Sequence, residues 1–149
     1  RRRGPVPARQ THRRGGGRAM KIPVLRLGSI LLTSIQVDLT DTEVMQFQAD
    51  VLSVIAETEG RGLAIDITAL EVVDSFMART INDTASMARL LGTEVVVCGM
   101  RPAVALTLVE MGRELIGVET TFNLDDGLAR LQRKIAQRGD NALAASGSS

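Results

Sequence analysis

Apolar and polar positions change their spacing several times along the chain, and each change marks an element. "PVLRLGSILLTSI" (23–35) holds two short apolar runs about Gly28-Ser29, which predicts a hairpin closed by a two-residue turn of the II′ kind. "LTDTEVMQFQADVLSVIAE" then shifts to a helical period: Val44, Phe47, Val51, Val54 and Ile55 fall on one face. Thr40 and Glu43 stand at the spacing of a capping box. "ETEGRG" reads as a helix end, and "LAIDI" (63–67) as a short buried strand. From Ser75 a second helix carries Met77, Ile81, Ala85, Ala88 and Leu91 along one side, with Gly92 placed to end it. "EVVVCG" is β-branched and uninterrupted, the pattern of a strand covered on both faces. Pro102 suits the first turn of a third helix, where its missing N–H costs nothing. "GVETTF" follows as an edge strand. Asn123 then caps a last helix with Leu124, Leu128, Leu131 and Ile135 on one face and basic residues in its final turn.

Strands separated by helices need crossover connections, so the sheet is mixed, parallel in its middle with an antiparallel hairpin at one side. The fold class is α/β with about four helices. A length of 149 residues suits one domain with tails. Residues 1–19, rich in Arg, Gly and Pro and without apolar period, are expected to be a disordered leader. Met20 opens the folded part, 20–138, and is a candidate natural start. "GDNALAASGSS" (139–149) reads as a flexible tail. No apolar stretch follows the leading arginines as in a secretory signal, and Gly15-Gly16-Gly17 with two prolines opposes an amphipathic transit helix. No apolar run reaches the roughly 18 residues of a membrane span.

Charge divides the chain. The first 19 residues hold seven arginines and no acid, whereas residues 20–149 hold 11 basic and 17 acidic residues, a net of −6. A folded part of that sign is a poor match for nucleic acid, which needs a basic face. The absence of Trp and Tyr removes most aromatic stacking on bases or sugars.

Catalytic chemistry finds little material. His12, the one histidine, lies in the leader, so the usual general base and any His-based zinc site are lacking. Neither phosphate-cradling glycine loop occurs, and neither does the Gly-x-Ser-x-Gly elbow. Cys98, the one cysteine, reads as a small buried hydrophobe. What remains is the connection after the "LAIDI" strand, with Asp66, Thr68, Glu71, Asp74 and Ser75. Ligand and partner sites of open α/β sheets favour the carboxyl ends of strands. A receiver-like acid pair on Asp66 and Asp74 is disfavoured, because the first strand supplies no partner acids. Ser75 admits two readings that can coexist. It is a helix cap, or it is a hydroxyl whose phosphorylation would meet free backbone N–H groups at a helix start.

The stretch "DITALEVVDSFMAR" (66–79) resembles the phosphorylation loop of STAS domains, the anti-sigma-factor antagonist family. "CGMRPAVALTLVEMG" (98–112) is similar to that family's strand, Gly-x-x-Pro turn and third helix, and the likeness covers about residues 20–137. Simple antagonists continue Asp-Ser with small residues. Phe76 and Met77 here look more like the small single-domain proteins of the stressosome branch. The resemblance implies a STAS fold without enzymatic activity or cofactor, acting as a scaffold in a bacterial cytoplasmic stress complex. Its implied partners are an RsbT-like switch serine kinase, RsbR-like STAS paralogues in a large assembly, and further copies of itself, with no nucleic acid and no membrane. Ser75 would be the phosphoacceptor, and Asp66, Thr68, Glu71, Asp74 and Phe76 the kinase-docking loop. No metal is implied. The alternatives are a simple antagonist that binds an anti-sigma kinase directly, and a small-ligand module.

Overall fold

Leu27 faces Ile30 across a two-residue turn in which Gly28 alone carries positive φ, 65°, as a II′ turn requires. This computed structural model describes residues 22–36, 39–112 and 118–147, with side chains described as far as Gly139. The turn joins β1 (Val24–Leu27) to β2 (Ile30–Ser34) in an antiparallel pair. Then follow α1 (Asp41–Thr58), β3 (Gly62–Asp66), α2 (Ser75–Leu90), β4 (Glu94–Cys98), α3 (Pro102–Glu110), β5 (Glu119–Thr121) and α4 (Leu124–Gly147). The sheet runs β1-β2-β3-β4-β5, and every pair after the hairpin is parallel. Each strand therefore lies beside its predecessor. Right-handed crossovers between such neighbours put α1, α2 and α3 on one face and leave the other to α4.

The period-2 alternation of strands sorts the core accordingly. Leu31, Leu63, Ile65, Val95 and Val97 point to the three-helix side, where they pack with Phe47, Val51, Ile55, Met77, Ile81, Val104 and Leu108. Ile30, Ala64, Val96 and Cys98 point the other way, onto Leu131 and the half-buried Leu124, Leu128 and Ile135 of α4. Burial on both faces explains why β3 and β4 read as unbroken apolar runs. The mixed α/β sheet with its N-terminal hairpin and four helices is the fold that the sequence predicts.

Helix ends follow local chemistry. In the capping box of α1, the Glu43 N–H donates to Thr40 Oγ1 at 3.2 Å and the Thr40 N–H to Glu43 Oε1 at 2.9 Å. A Schellman motif closes α2: the Gly92 N–H donates to the Arg89 carbonyl at 2.9 Å and the Thr93 N–H to the Ala88 carbonyl at 3.1 Å. This ending corrects one expectation. Leu91 is the residue that leaves the helix, and it is 54% exposed instead of lining the buried face. At α4, Asn123 Oδ1 accepts from the Asp126 N–H at 2.8 Å, as expected of a cap.

That last helix differs at its far end. Its backbone continues to Gly147, through residues read from sequence as the start of a flexible tail. Gly139 lowers helix propensity locally, but Ala142, Leu143, Ala144 and Ala145 are strong helix formers that carry the turn onward. Arg133, Lys134 and Arg138 consequently lie within α4 and not in its last turn. Two of them, with Arg130 a turn earlier, meet β-strand carboxylates: Arg130 and Lys134 pair with Glu119, and Lys134 and Arg138 with Glu94. The leader, 1–19, lies outside the described residues.

Candidate functional site

At the carboxyl end of β3 the chain leaves the sheet and travels eight residues before α2 begins. The Ile67 N–H still donates to the Cys98 carbonyl at 2.9 Å, and the Leu70 N–H closes a turn on the Ile67 carbonyl at 2.9 Å. Leu70 and Val73, both buried, pin this connection to the three-helix core. Between and after the pins, Glu71, Val72, Asp74 and Ser75 are left at the surface. A pinned loop of this kind presents its exposed residues in fixed positions without ordering cost on binding.

Asp66 and Thr68 act on each other. Asp66 Oδ1 accepts from the Thr68 N–H at 3.0 Å and from Thr68 Oγ1 at 2.6 Å, an Asx-type turn that starts the loop. Asp74 works at the loop's other end. Its Oδ1 accepts from the Met77 N–H at 2.8 Å, which makes Asp74 the N-cap of α2. Ser75 is therefore the first helical residue and not the cap, which corrects the capping reading of its side chain. Val73 and Met77 decide this, because burying both fixes the chain direction so that Asp74 turns back over the open N–H groups. Ser75 is exposed, and no described residue hydrogen-bonds to its hydroxyl. Glu71 has no described partner either.

Residues 21–124 match the STAS domain family. The chain belongs to that family. The RsbT co-antagonist protein RsbRA of Bacillus subtilis is 31% identical over 105 residues, covering 67% of this chain and 38% of that protein. RsbRD of the same organism is 33% identical over 75 residues, 50% of this chain and 27% of its own length, so the chain spans well under half of both curated relatives. Two solved structures match over nearly all of their length. A serine-to-glutamate variant of Moorella thermoacetica RsbS is 40% identical, with TM-score 0.71 over 78% of this chain and 99% of that one. A chain from the molecular architecture of the stressosome, a signal integration and transduction hub, is 42% identical, with TM-score 0.70 and coverage of 76% and 98%.

Within this STAS domain two residues that the sequence reading passed over hold the loop in place. Arg101 Nε donates to the Thr68 carbonyl at 3.0 Å, tying the loop to the start of α3. Gly99, at φ 79°, passes so close that a Cβ there would fall 2.0 Å from Thr68 Oγ1 and 3.0 Å from its Cα. Any side chain at 99 would push Thr68 off Asp66. The "CGMRP" stretch carries a signal for this, a glycine and a cation just past a strand end, beyond the turn that it predicts.

Phe76 divides its surface. It is half-buried and packs on the three-helix core, so only part of its ring faces outward with the loop. Cys98 is fully buried beneath α4. Burial pushes its thiol up; a hydrogen bond with Thr121 opposes that shift and the Asp66 charge adds to it. A thiol so placed stays protonated and unreactive at neutral pH. Among the described residues no group of three or more His, Cys, Asp or Glu could hold a metal ion, and no helix is long and apolar enough to cross a membrane.

Proposed function

We propose that this STAS domain is a non-catalytic scaffold and switch of a bacterial stressosome. It holds an RsbT-like serine kinase through the loop of Asp66, Thr68, Glu71, Asp74 and Phe76, and releases it when the kinase phosphorylates Ser75. RsbR-like paralogues and further copies of the chain are its partners in the assembly, in the cytoplasm. The kinase brings its own nucleotide and metal, so none is required here. The likeness to RsbS over nearly all of that chain's length supports the assembly part of the reading.

The observation that carries the switch is the position of Ser75. Its hydroxyl is exposed and uncommitted while its neighbour Asp74 holds the helix cap. Modification there need not unfold anything. The N–H groups of the first helical residues lack intrahelical acceptors, and the dipole end is positive, so a phosphate on Ser75 is tolerated by the domain itself. To a docked partner it adds about −1.5 to −2 charge beside Asp74 and Glu71. The fold stays and the surface becomes more strongly negative locally.

The test is incubation with the cognate switch kinase and ATP, followed by phosphosite mapping. Phosphate on Ser75 and loss of kinase binding afterwards are the expected results. Ser75→Ala should take up no phosphate and still hold the kinase, while Ser75→Asp should hold it more weakly. Equal kinase affinity for the two variants would overturn release by charge.

A further inference from the structure

Helix α2 carries charge at Arg79, Asp83 and Arg89 and nowhere else. Its core face is made by Met77, Ile81, Thr84 and Ala88. Ser75 and Arg79 lie together on the opposite face, both exposed and about one helical turn apart. Side chains four residues apart on a helix are neighbours. Helical side chains also lean toward the N-terminus, so Arg79 reaches back over Ser75 and away from Asp83.

Arg79 is uncommitted. No described residue forms a hydrogen bond or an ion pair with its side chain, and Asp83 is likewise unpaired. A base placed four residues before an acid is the weaker sense of such a helical pair, so Asp83 competes poorly for it. Other charges near Ser75 have duties already. Asp74 caps the helix through Oδ1, and Arg101 is engaged through Nε with the Thr68 carbonyl. Within α2, Arg79 is thus the one cation less than two turns from Ser75.

We infer that Arg79 is the counter-ion of a phosphate on Ser75, the two closing an ion pair along the exposed face of α2. Acid before base is the favourable sense. A phosphate carries more charge than a carboxylate, and a guanidinium grips its oxygens through two parallel N–H donors. The pair forms only on modification, because a serine hydroxyl has no charge to offer. Unmodified, the domain shows a partner a free guanidinium beside Ser75; modified, it shows one that is neutralised. Phosphorylation therefore withdraws a cation from the docking surface besides adding negative charge, and it clamps the first turn of α2. This deepens the switch proposed above and rests on Ser75 being the acceptor.

Phosphoserine placed at position 75 of the full chain during translation, by suppression of a stop codon, makes the test independent of any kinase. Phosphorus NMR then follows the second ionisation of the phosphate at low salt, with Arg79 and with Arg79→Gln. Gln is a good helix former at this exposed site, and melting curves show that both proteins are folded. A neighbouring cation favours the dianion, so the ionisation should fall about 0.3 pH unit lower with Arg79 than with Gln. Salt at about 1 M should close that gap. Asp74, Glu71 and Asp83 are present in both proteins and act on the phosphate equally. The same ionisation in both at low salt overturns the pair, and so does a gap that salt leaves unchanged. A kinase that leaves Ser75 of the ordinary protein unmodified would instead overturn the switch, so the two failures are told apart.

Discussion

Asp74 and Ser75 stand side by side, both are good N-cap residues, and only one of them can cap α2. Substitutions should separate them cleanly. Asp74→Ala removes the acceptor of the Met77 N–H and should cost about 1 kcal/mol of stability. Ser75→Ala, at an exposed first helical position, should cost no more than a few tenths, Ala being the better helix former. Thermal melts of the two variants measure the contrast. If Ser75→Ala proved the more damaging, the serine would have a structural duty that its surroundings do not show. Sequence located the helix start but could not choose the cap, because the choice depends on Val73 and Met77 being drawn into the core from either side. The same holds for Arg101 and Gly99. Their contacts to Thr68 cross between loops more than 30 residues apart, and no local pattern encodes such a meeting.

Elements were legible wherever their pattern was local. The II′ hairpin, the Thr40–Glu43 box and the Asn123 cap all occur where spacing predicts them. What periodicity could not convey is how closely elements approach. Gly127 lies in α4, where alanine would be the better helix former, yet a Cβ there would fall 2.3 Å from Cys98 Sγ and 3.1 Å from Thr121 Oγ1. Gly127→Ala should therefore lift α4 off β4 and destabilise by about 1–3 kcal/mol. Adding Cys98→Ala should recover part of the loss, and a double-mutant cycle in denaturant measures the coupling. Ion pairs fasten the same helix further along. Lys134 and then Arg130 hold the Glu119 carboxyl below its ordinary value of 4.5. A depressed folded-state value means that the pairing stabilises above that ordinary value and is lost as pH falls through the lower folded one. The stability difference between wild type and Glu119→Gln should be constant from neutral pH down to about 4.5 and vanish in more acid solution. Its size should not exceed about 1 kcal/mol, since all three side chains are partly solvated.

For the molecule as a whole, alternation of strands and helices was enough to predict a mixed α/β sheet, but not which face each helix would take. That assignment follows from connection handedness once the strand order is known. Residues 1–19 contain no periodic apolar face, and ordering them would cost about 1–2 kcal/mol per residue. Their deletion should leave the melting temperature unchanged, and a fall of many degrees would mean that the leader docks on the domain. The charge split makes the same point from another direction. The net −6 of residues 20–149 is masked in the whole chain by a leader of seven arginines, so overall pI describes neither part.

The sequential strand order has a bearing on how the chain is made. A nascent chain leaving the ribosome finds the edge it needs already laid down at each step: β3 docks on the finished hairpin, β4 on β3, β5 on β4. Helices α1 to α3 arrive between strands, so the face bearing Leu63 and Ile65 is closed as synthesis proceeds. The opposite face has only α4, which is translated last. Until it emerges, Ile30, Ala64, Val96 and Cys98 form a bare apolar sheet surface. Chains that stall or are cut before residue 124 are thus complete in sheet yet open on one side, the species of this protein most exposed to chaperones and to aggregation.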